Sequence, residues 1–176
     1  MLRKLFAPGA ATVAGRQLYA AVTAKARDPA LYLDAGVPDT PEGRFELYTL
    51  HLALVLRRLR GQGREAQGVS QALFDTYVRS LDDSLREMGV GDLSVGKKMR
   101  RLGEAFYGRI KHYDEALAAG DRDALAALIH RTVYRGAEAP AAPRLTDYAE
   151  RAAKALDEAP LDEVLAARLP WPEFAA

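Results

Sequence analysis

Residues 91–101 read GDLSVGKKMRR, and the fold turns on what this stretch is. Gly91, Gly96 and Lys97 stand at the GxxxxGK spacing of a phosphate-cradling loop. Such a loop works because a β-strand delivers a glycine-rich turn to a helix N-terminus, where backbone N–H groups face the phosphates and a Ser or Thr hydroxyl holds magnesium. Here Lys98 occupies the hydroxyl position, and the preceding LDDSLREMG, residues 81–89, has helical spacing. No apolar β run ending in Asp exists elsewhere to hold the metal. The stretch is therefore predicted to be a corner between two helices. Gly89 and Gly91 end one helix and turn the chain, and Asp92 or Ser94 caps the next.

On both sides of this corner the apolar positions keep a helical period. Phe74, Tyr77, Val78, Leu81, Leu85 and Met88 form one stripe before it, and Val95, Met99, Leu102, Phe106, Ile110, Tyr113 and Leu117 continue after it. Gly120 stops that helix, and Asp121 caps another that runs through Tyr134. Upstream, GQGREAQG at 61–68 is predicted to be a loop. Before it, Thr40 and Pro41 open a helix whose residues Phe45 to Leu59 are apolar on nearly every side, as a central helix requires. A first helix is expected over Thr12 to Arg27, with DPALY at 28–32 starting a short second one. GAEAPAAP at 136–143 has the composition of a linker, and shorter helical patterns follow over Tyr148 to Leu156 and Leu161 to Leu169. The closing LPWPEF is expected either to pack on the bundle through Trp171 and Phe174 or to serve as a mobile arm, with packing the favoured reading. The prediction is an all-α protein: a single compact helical bundle of about five core helices over 1–135, a linker over 136–143, and a C-terminal helical extension over 144–176.

Composition sets the outer limits. A chain of 176 residues, 49% hydrophobic and 28% charged, can build one domain with a real core. A net charge of +1 gives no global attraction to nucleic acid, and no DNA partner is expected. Charge is nonetheless uneven: residues 1–27 carry five bases and no acid, whereas 144–176 carry seven acids against four bases. The absence of cysteine excludes disulfides, thiolate metal sites and a thiol nucleophile. The longest apolar run, Leu50 to Leu56, is far shorter than the ~20 residues that cross a bilayer. The acid-free MLRKLFAPGAATVAGR lacks the apolar segment of a secretory signal and is expected to be a short tail entering the first helix, with peripheral contact to an anionic surface open to it.

Catalytic and metal chemistry find little support in the residues. His51, His112 and His130 belong to no HxxxH, HExxH or ExxH pattern, so no metal and no cofactor is expected. His51, on the apolar central helix, has the setting of a core or interface histidine. Asp82, Asp83 and Glu87 lie on an outward face, where Asp82 stands four residues before Arg86 as a helix ion pair. What remains is surface. Lys97, Lys98, Arg100 and Arg101, with Arg57 and Arg60 at the end of the central helix, are candidates for docking a polyanion. Gly96, Gly103 and Gly108 lie inside one helix, where each costs roughly 0.5 to 1 kcal/mol relative to Ala. Close approach of another helix, from this chain or from a client, would offset that cost.

GVPDTPEGRFELYTLHLALVLRRLRG at 36–61 and LFDTYVRSLDDSLREMGVGDLSVGKKMRRLGEAFYGR at 73–109 resemble the ubiquinol-cytochrome c chaperone family, helical assembly factors for cytochrome b of the bc1 complex in mitochondria and alphaproteobacteria. The resemblance extends from about Tyr32 to Tyr134, and SLREMGVGDLSVG is its most specific part. It implies a non-enzymatic chaperone that holds newly made or newly inserted cytochrome b. For mitochondrial relatives it further implies work beside the ribosome with a small partner protein. The short N-terminal extension fits a bacterial member, placed in the cytoplasm or peripherally at the inner membrane, better than a mitochondrial precursor. Client or partner contacts are expected at Arg44, His51, Arg58, Arg86, Asp92, Gly103, Tyr107 and Arg109. The groove is expected between the 45–59 and 94–117 helices, with Arg44, His51 and Tyr107 near its edge. Two other readings stand beside this one. A helical enzyme of quinone or haem metabolism needs a deep polar pocket around His51. A basic adaptor for ribosome or RNA needs Arg57, Arg58, Lys97, Lys98 and Arg101 on one face.

Overall fold

The computed structural model describes residues 9–174, in eight helices and no strand among the described residues. The predicted tail over residues 1–8 lies outside the described residues. In chain order the helices are α1 (Ala10–Ala26), α2 (Pro29–Leu33), α3 (Pro41–Leu59), α4 (Gly63–Glu87), α5 (Asp92–Ala119), α6 (Arg122–Thr132), α7 (Ala142–Glu158) and α8 (Leu161–Leu165). The all-α expectation holds.

Side-chain caps account for three of the eight helix starts among the described residues. Asp28 Oδ1 accepts the Ala30 N–H at 3.0 Å, Thr40 Oγ1 accepts the Gly43 N–H at 3.1 Å, and Asp121 Oδ1 accepts the Ala124 N–H at 2.9 Å. At the corner, Gly89 takes a left-handed φ of 77° just beyond α4, where a side chain would be strained. The corner after it differs from expectation in one respect: Gly91 is the N-cap of α5 and makes no side-chain bond. Asp92 lies inside the first turn, where its charge suits the positive end of the helix, and it pairs with Arg86 across the corner.

α3 is the central helix. Leu47, Leu50, Leu52, Leu54, Val55 and Leu59 are all buried, and the helix packs against α1, α4, α5 and α7. α1 lies along α4, and the two pack tightly at Gly15, where an added Cβ would stand 2.6 Å from Ala72 Cβ. This contact overturns the loop expected at 61–68: α4 begins at Gly63, and only Gly61 and Gln62 separate it from the C-cap of α3. Ala66, Val69 and Leu73 are buried at helical spacing, and tertiary burial outweighs the weak helix preference of Gly63 and Gly68.

The C-terminal third shares the same core. Leu145, Tyr148, Ala149, Ala152, Leu156 and Val164 are fully buried, and α7 packs on α3 and α6. α7 opens at Ala142, inside the stretch expected to be a linker, because Pro143 suits a first turn and Ala142 is itself buried. The helix expected over 161–169 stops at Leu165, and Ala167 takes a positive φ of 60°. No helix among the described residues is long and apolar enough to cross a membrane.

Candidate functional site

Where the first half of α5 meets the start of α3 and the second half of α4, the bundle leaves a groove of about 720 Å³. Phe45, Tyr77, Leu81, Leu85, Leu102 and Ala105 supply its apolar surface, and Tyr19 of α1 and Arg27 at its C-cap close one side. Met88 stands at the rim with 58% of its surface exposed. An apolar recess beside an exposed methionine suits side chains of varied shape, because the thioether is flexible and polarisable.

The polar residues of the groove are arranged in two ways. Glu46 is a buried carboxylate on an otherwise apolar stretch of α3, held by a fork from Arg109 of α5: Nη2 to Oε1 at 2.9 Å and Nε to Oε2 at 3.1 Å. This pair fixes the register of α5 on α3. Arg44 lines the groove and bonds Asp39 through Nε at 2.6 Å. That bond holds the Asp39 carboxyl below its ordinary range. Tyr19 donates to Ser80 Oγ at 2.6 Å and so joins α1 to α4 along the wall. Tyr77 is buried at the groove, and its hydroxyl has no hydrogen-bond partner among the described residues. Burial raises its pKa far above the usual phenol value. Lys98 and Arg101 line the α5 side and are exposed.

His51 does not stand at the groove edge, which corrects the sequence expectation. It is 0% exposed: its Nδ1–H donates to Leu47 O at 2.7 Å, and its Nε2 accepts the Tyr148 hydroxyl at 2.8 Å. Trp171 stands edge-on to the imidazole at 5.2 Å. Desolvation pushes its pKa down to about 4, so the ring is neutral. A histidine with both nitrogens engaged inside the core is not the centre of a polar pocket, and the pocket that a quinone or haem enzyme would need around it is filled by Tyr148 and Trp171.

The remaining predicted residues separate into groups. Arg86 pairs with Asp82 at 2.7 Å and with Asp92, bracing the α4–α5 corner next to Met88. Tyr107 is 61% exposed and lies outside the groove lining, over Phe74 and Phe106 at 5.6 and 5.8 Å between ring centres. Gly96, Gly103 and Gly108 have nothing within 4 Å of an added Cβ, so no helix among the described residues approaches them closely, contrary to one of the two expectations. Arg58 donates to Leu156 O and Ala159 O at 2.8 Å each, capping the C-terminus of α7. Arg57 grips Asp157 and Arg60 bonds Asp114.

These last contacts also bear on the expected polyanion face. Asp114, the partner of Arg60, lies thirteen residues along α5 from Arg101, about 20 Å of helix at ~1.5 Å per residue. Arg57, Arg58 and Arg60 are engaged at one end of the α3–α5 pair, while Lys97, Lys98, Arg100 and Arg101 belong to the other. The structure does not bring the two clusters together. Sequence reasoning missed Glu46, Tyr19, Tyr77 and Arg27. Glu46 had a usable signal: an acid within an apolar helix face needs a cation from elsewhere in the chain.

Comparison with known proteins follows the same geometry. The chain matches a crystal structure described as the Cbp3 homolog from Brucella abortus with a TM-score of 0.86 and 33% identity, covering 99% of this chain and 98% of the other. Among curated proteins it is 26% identical over 104 residues to ubiquinol-cytochrome-c reductase complex assembly factor 1 of Xenopus laevis, covering 59% of this chain and 52% of that protein. It is also 26% identical over 122 residues to the assembly factor 1 of Mus musculus, covering 69% of this chain and 41% of that protein. The chain spans about half the length of the curated relatives it matches or less. The family model described as Ubiquinol-cytochrome C chaperone matches residues 33–171, a span that takes in α3 to α8 and every wall of the groove except that of α1. By that match, and by a fold shared along almost its whole length with a Cbp3 homolog, the chain belongs to the ubiquinol-cytochrome c chaperone family.

Proposed function

We propose that this chain is a non-enzymatic chaperone that holds newly made cytochrome b during assembly of ubiquinol-cytochrome c reductase, with the α3–α4–α5 groove as the client contact. The observation that carries this reading is the groove itself, an apolar recess rimmed by charge in a member of an assembly-factor family. A client destined for the membrane exposes apolar helix faces in water. A recess lined by Phe45, Leu81, Leu85 and Leu102 shields part of such a face, and the charged rim keeps the complex soluble. The sealed state of His51 supports a binding role over catalysis.

The test is deletion of the gene, followed by a haem stain for cytochrome b and an assay of ubiquinol-cytochrome c reductase. The expected result is selective loss of both, restored by the wild-type chain. A chain carrying Met88→Gln and Leu102→Gln, present at the same level, should fail to restore them. Met88 is mostly exposed, so its replacement leaves the fold intact. A normal reductase in the deletion strain would overturn the reading.

A further inference from the structure

The charge on the groove rim is unbalanced, and the imbalance says what kind of segment fits there. Two of its charges are neutralised within the chain: Arg44 by Asp39, and Glu46 by Arg109. Arg27, at the C-cap of α1, and Lys98 and Arg101 of α5 also line the groove, and none of them has an ion pair among the described residues. Glu42 is the one acid of the lining without a cation of its own. Three uncompensated cations therefore face one uncompensated acid, and all three are exposed.

Their positions matter as much as their number. Arg27 stands on the α1 side and Lys98 and Arg101 on the α5 side, with the apolar surface of α3 and α4 between them. An amphipathic helix laid in the groove would place apolar residues at i, i+3/i+4 and i+7 on that surface and its flanking polar residues against the rim. Carboxylates at the flanks meet Arg27 on one side and Lys98 and Arg101 on the other. Lysines there meet like charge on both sides, which costs affinity as well as encounter rate.

We infer that the groove selects an amphipathic helical segment whose flanks carry carboxylates. This rests on the groove being the client site and adds the chemistry of the client. A single anionic headgroup would call for one focus of cations, whereas cations divided between two walls suit a peptide with acids on both edges.

Two fluorescein-labelled amphipathic peptides test it, with the same Leu and Phe face and either Glu or Lys at the flanking positions, titrated with the full chain. The Glu peptide is expected to bind about tenfold more tightly at low salt, with the gap closing as salt rises. A Lys98→Glu, Arg101→Glu variant, both sites being exposed, should keep its circular dichroism and reverse the preference. Equal binding of the two peptides, or a preference that survives the charge reversal, overturns the inference and leaves the groove reading standing. Binding of neither peptide overturns the groove reading along with it. Vesicles containing phosphatidylglycerol are the third arm. If the double variant loses the vesicles but keeps its preference for the Glu peptide, the cations serve a lipid surface and the inference fails.

Discussion

His51 carries its own share of the acid sensitivity in one buried residue. Its folded pKa of about 4 lies below the ordinary 6.5. Above about pH 6.5 both folded and unfolded chains hold it neutral, and it adds no pH dependence. As pH falls from there towards 4, the unfolded chain takes up a proton that the folded chain refuses, so stability drops, by about 3 kcal/mol in all. Urea unfolding between about pH 7.5 and 4.5 should show this slope, and His51→Gln should flatten it. The neighbouring bond gives a separate outcome at neutral pH: Tyr148→Phe leaves Nε2 without its donor and should cost about 1 to 3 kcal/mol. Glu46 is a buried carboxylate whose ion-pair partner is Arg109. Arg109→Met strands its carboxylate, and because Arg109 is itself partly exposed the expected cost is about 3 kcal/mol, the low end for breaking a buried pair. Replacing Glu46 by Gln in the same chain should recover most of it, as a double-mutant cycle would show.

At the scale of elements, α5 carries an unexplained weakness. Gly103 sits in its interior with open space around its missing side chain among the described residues, which give no reason for a glycine there. Gly103→Ala should therefore raise stability by roughly 0.5 to 1 kcal/mol in thermal or urea unfolding. A variant that is more stable yet fails to support cytochrome b would show that a partner, not the fold, requires the glycine. The contrast with Gly15 shows which parts of these elements the sequence could carry. Thr40, Asp121 and Gly89 announce helix ends because a cap is satisfied within three or four residues of itself. The start of α4 was illegible for the opposite reason. GQGREAQG has the local composition of a loop, and what makes it helical is the packing of α4 on α1 more than forty residues away. The groove follows the same division. Its apolar residues were visible as stripes on α4 and α5, but Glu46 meets Arg109, and Arg27 comes to stand across the groove from Lys98, only after the bundle has folded.

Across the whole molecule, the last third of the chain locks the centre. Trp171 and Tyr148 enclose His51, Phe174 stacks near Tyr148 at 5.9 Å, and Val164 is fully buried. Arg58 and Arg57 hold the end of α7 from α3, and Lys25 of α1 lies 5.4 Å from the Tyr148 ring. α1 and the acidic C-terminal third are thus drawn onto the same central helix. Deleting residues 161–176 removes Val164, Trp171 and Phe174 together, and at about 1.5 to 3 kcal/mol for each well-buried large side chain the expected loss is roughly 4 kcal/mol, since Trp171 is only partly covered. Such a chain should still fold, because α1 and α3 to α6 retain their own contacts, but at a lower denaturant midpoint. Its pH behaviour should change as well. With Trp171 gone, water reaches His51, desolvation weakens, and the folded pKa moves up towards the unfolded one. The proton uptake that separates the two states then shrinks, so the truncated chain should be less stable at neutral pH yet lose less stability on acidification. Parallel urea series on the full and truncated chains measure both effects. A truncated chain with a lower midpoint and an unchanged acid slope would mean that Tyr148 and α7 alone keep His51 dry.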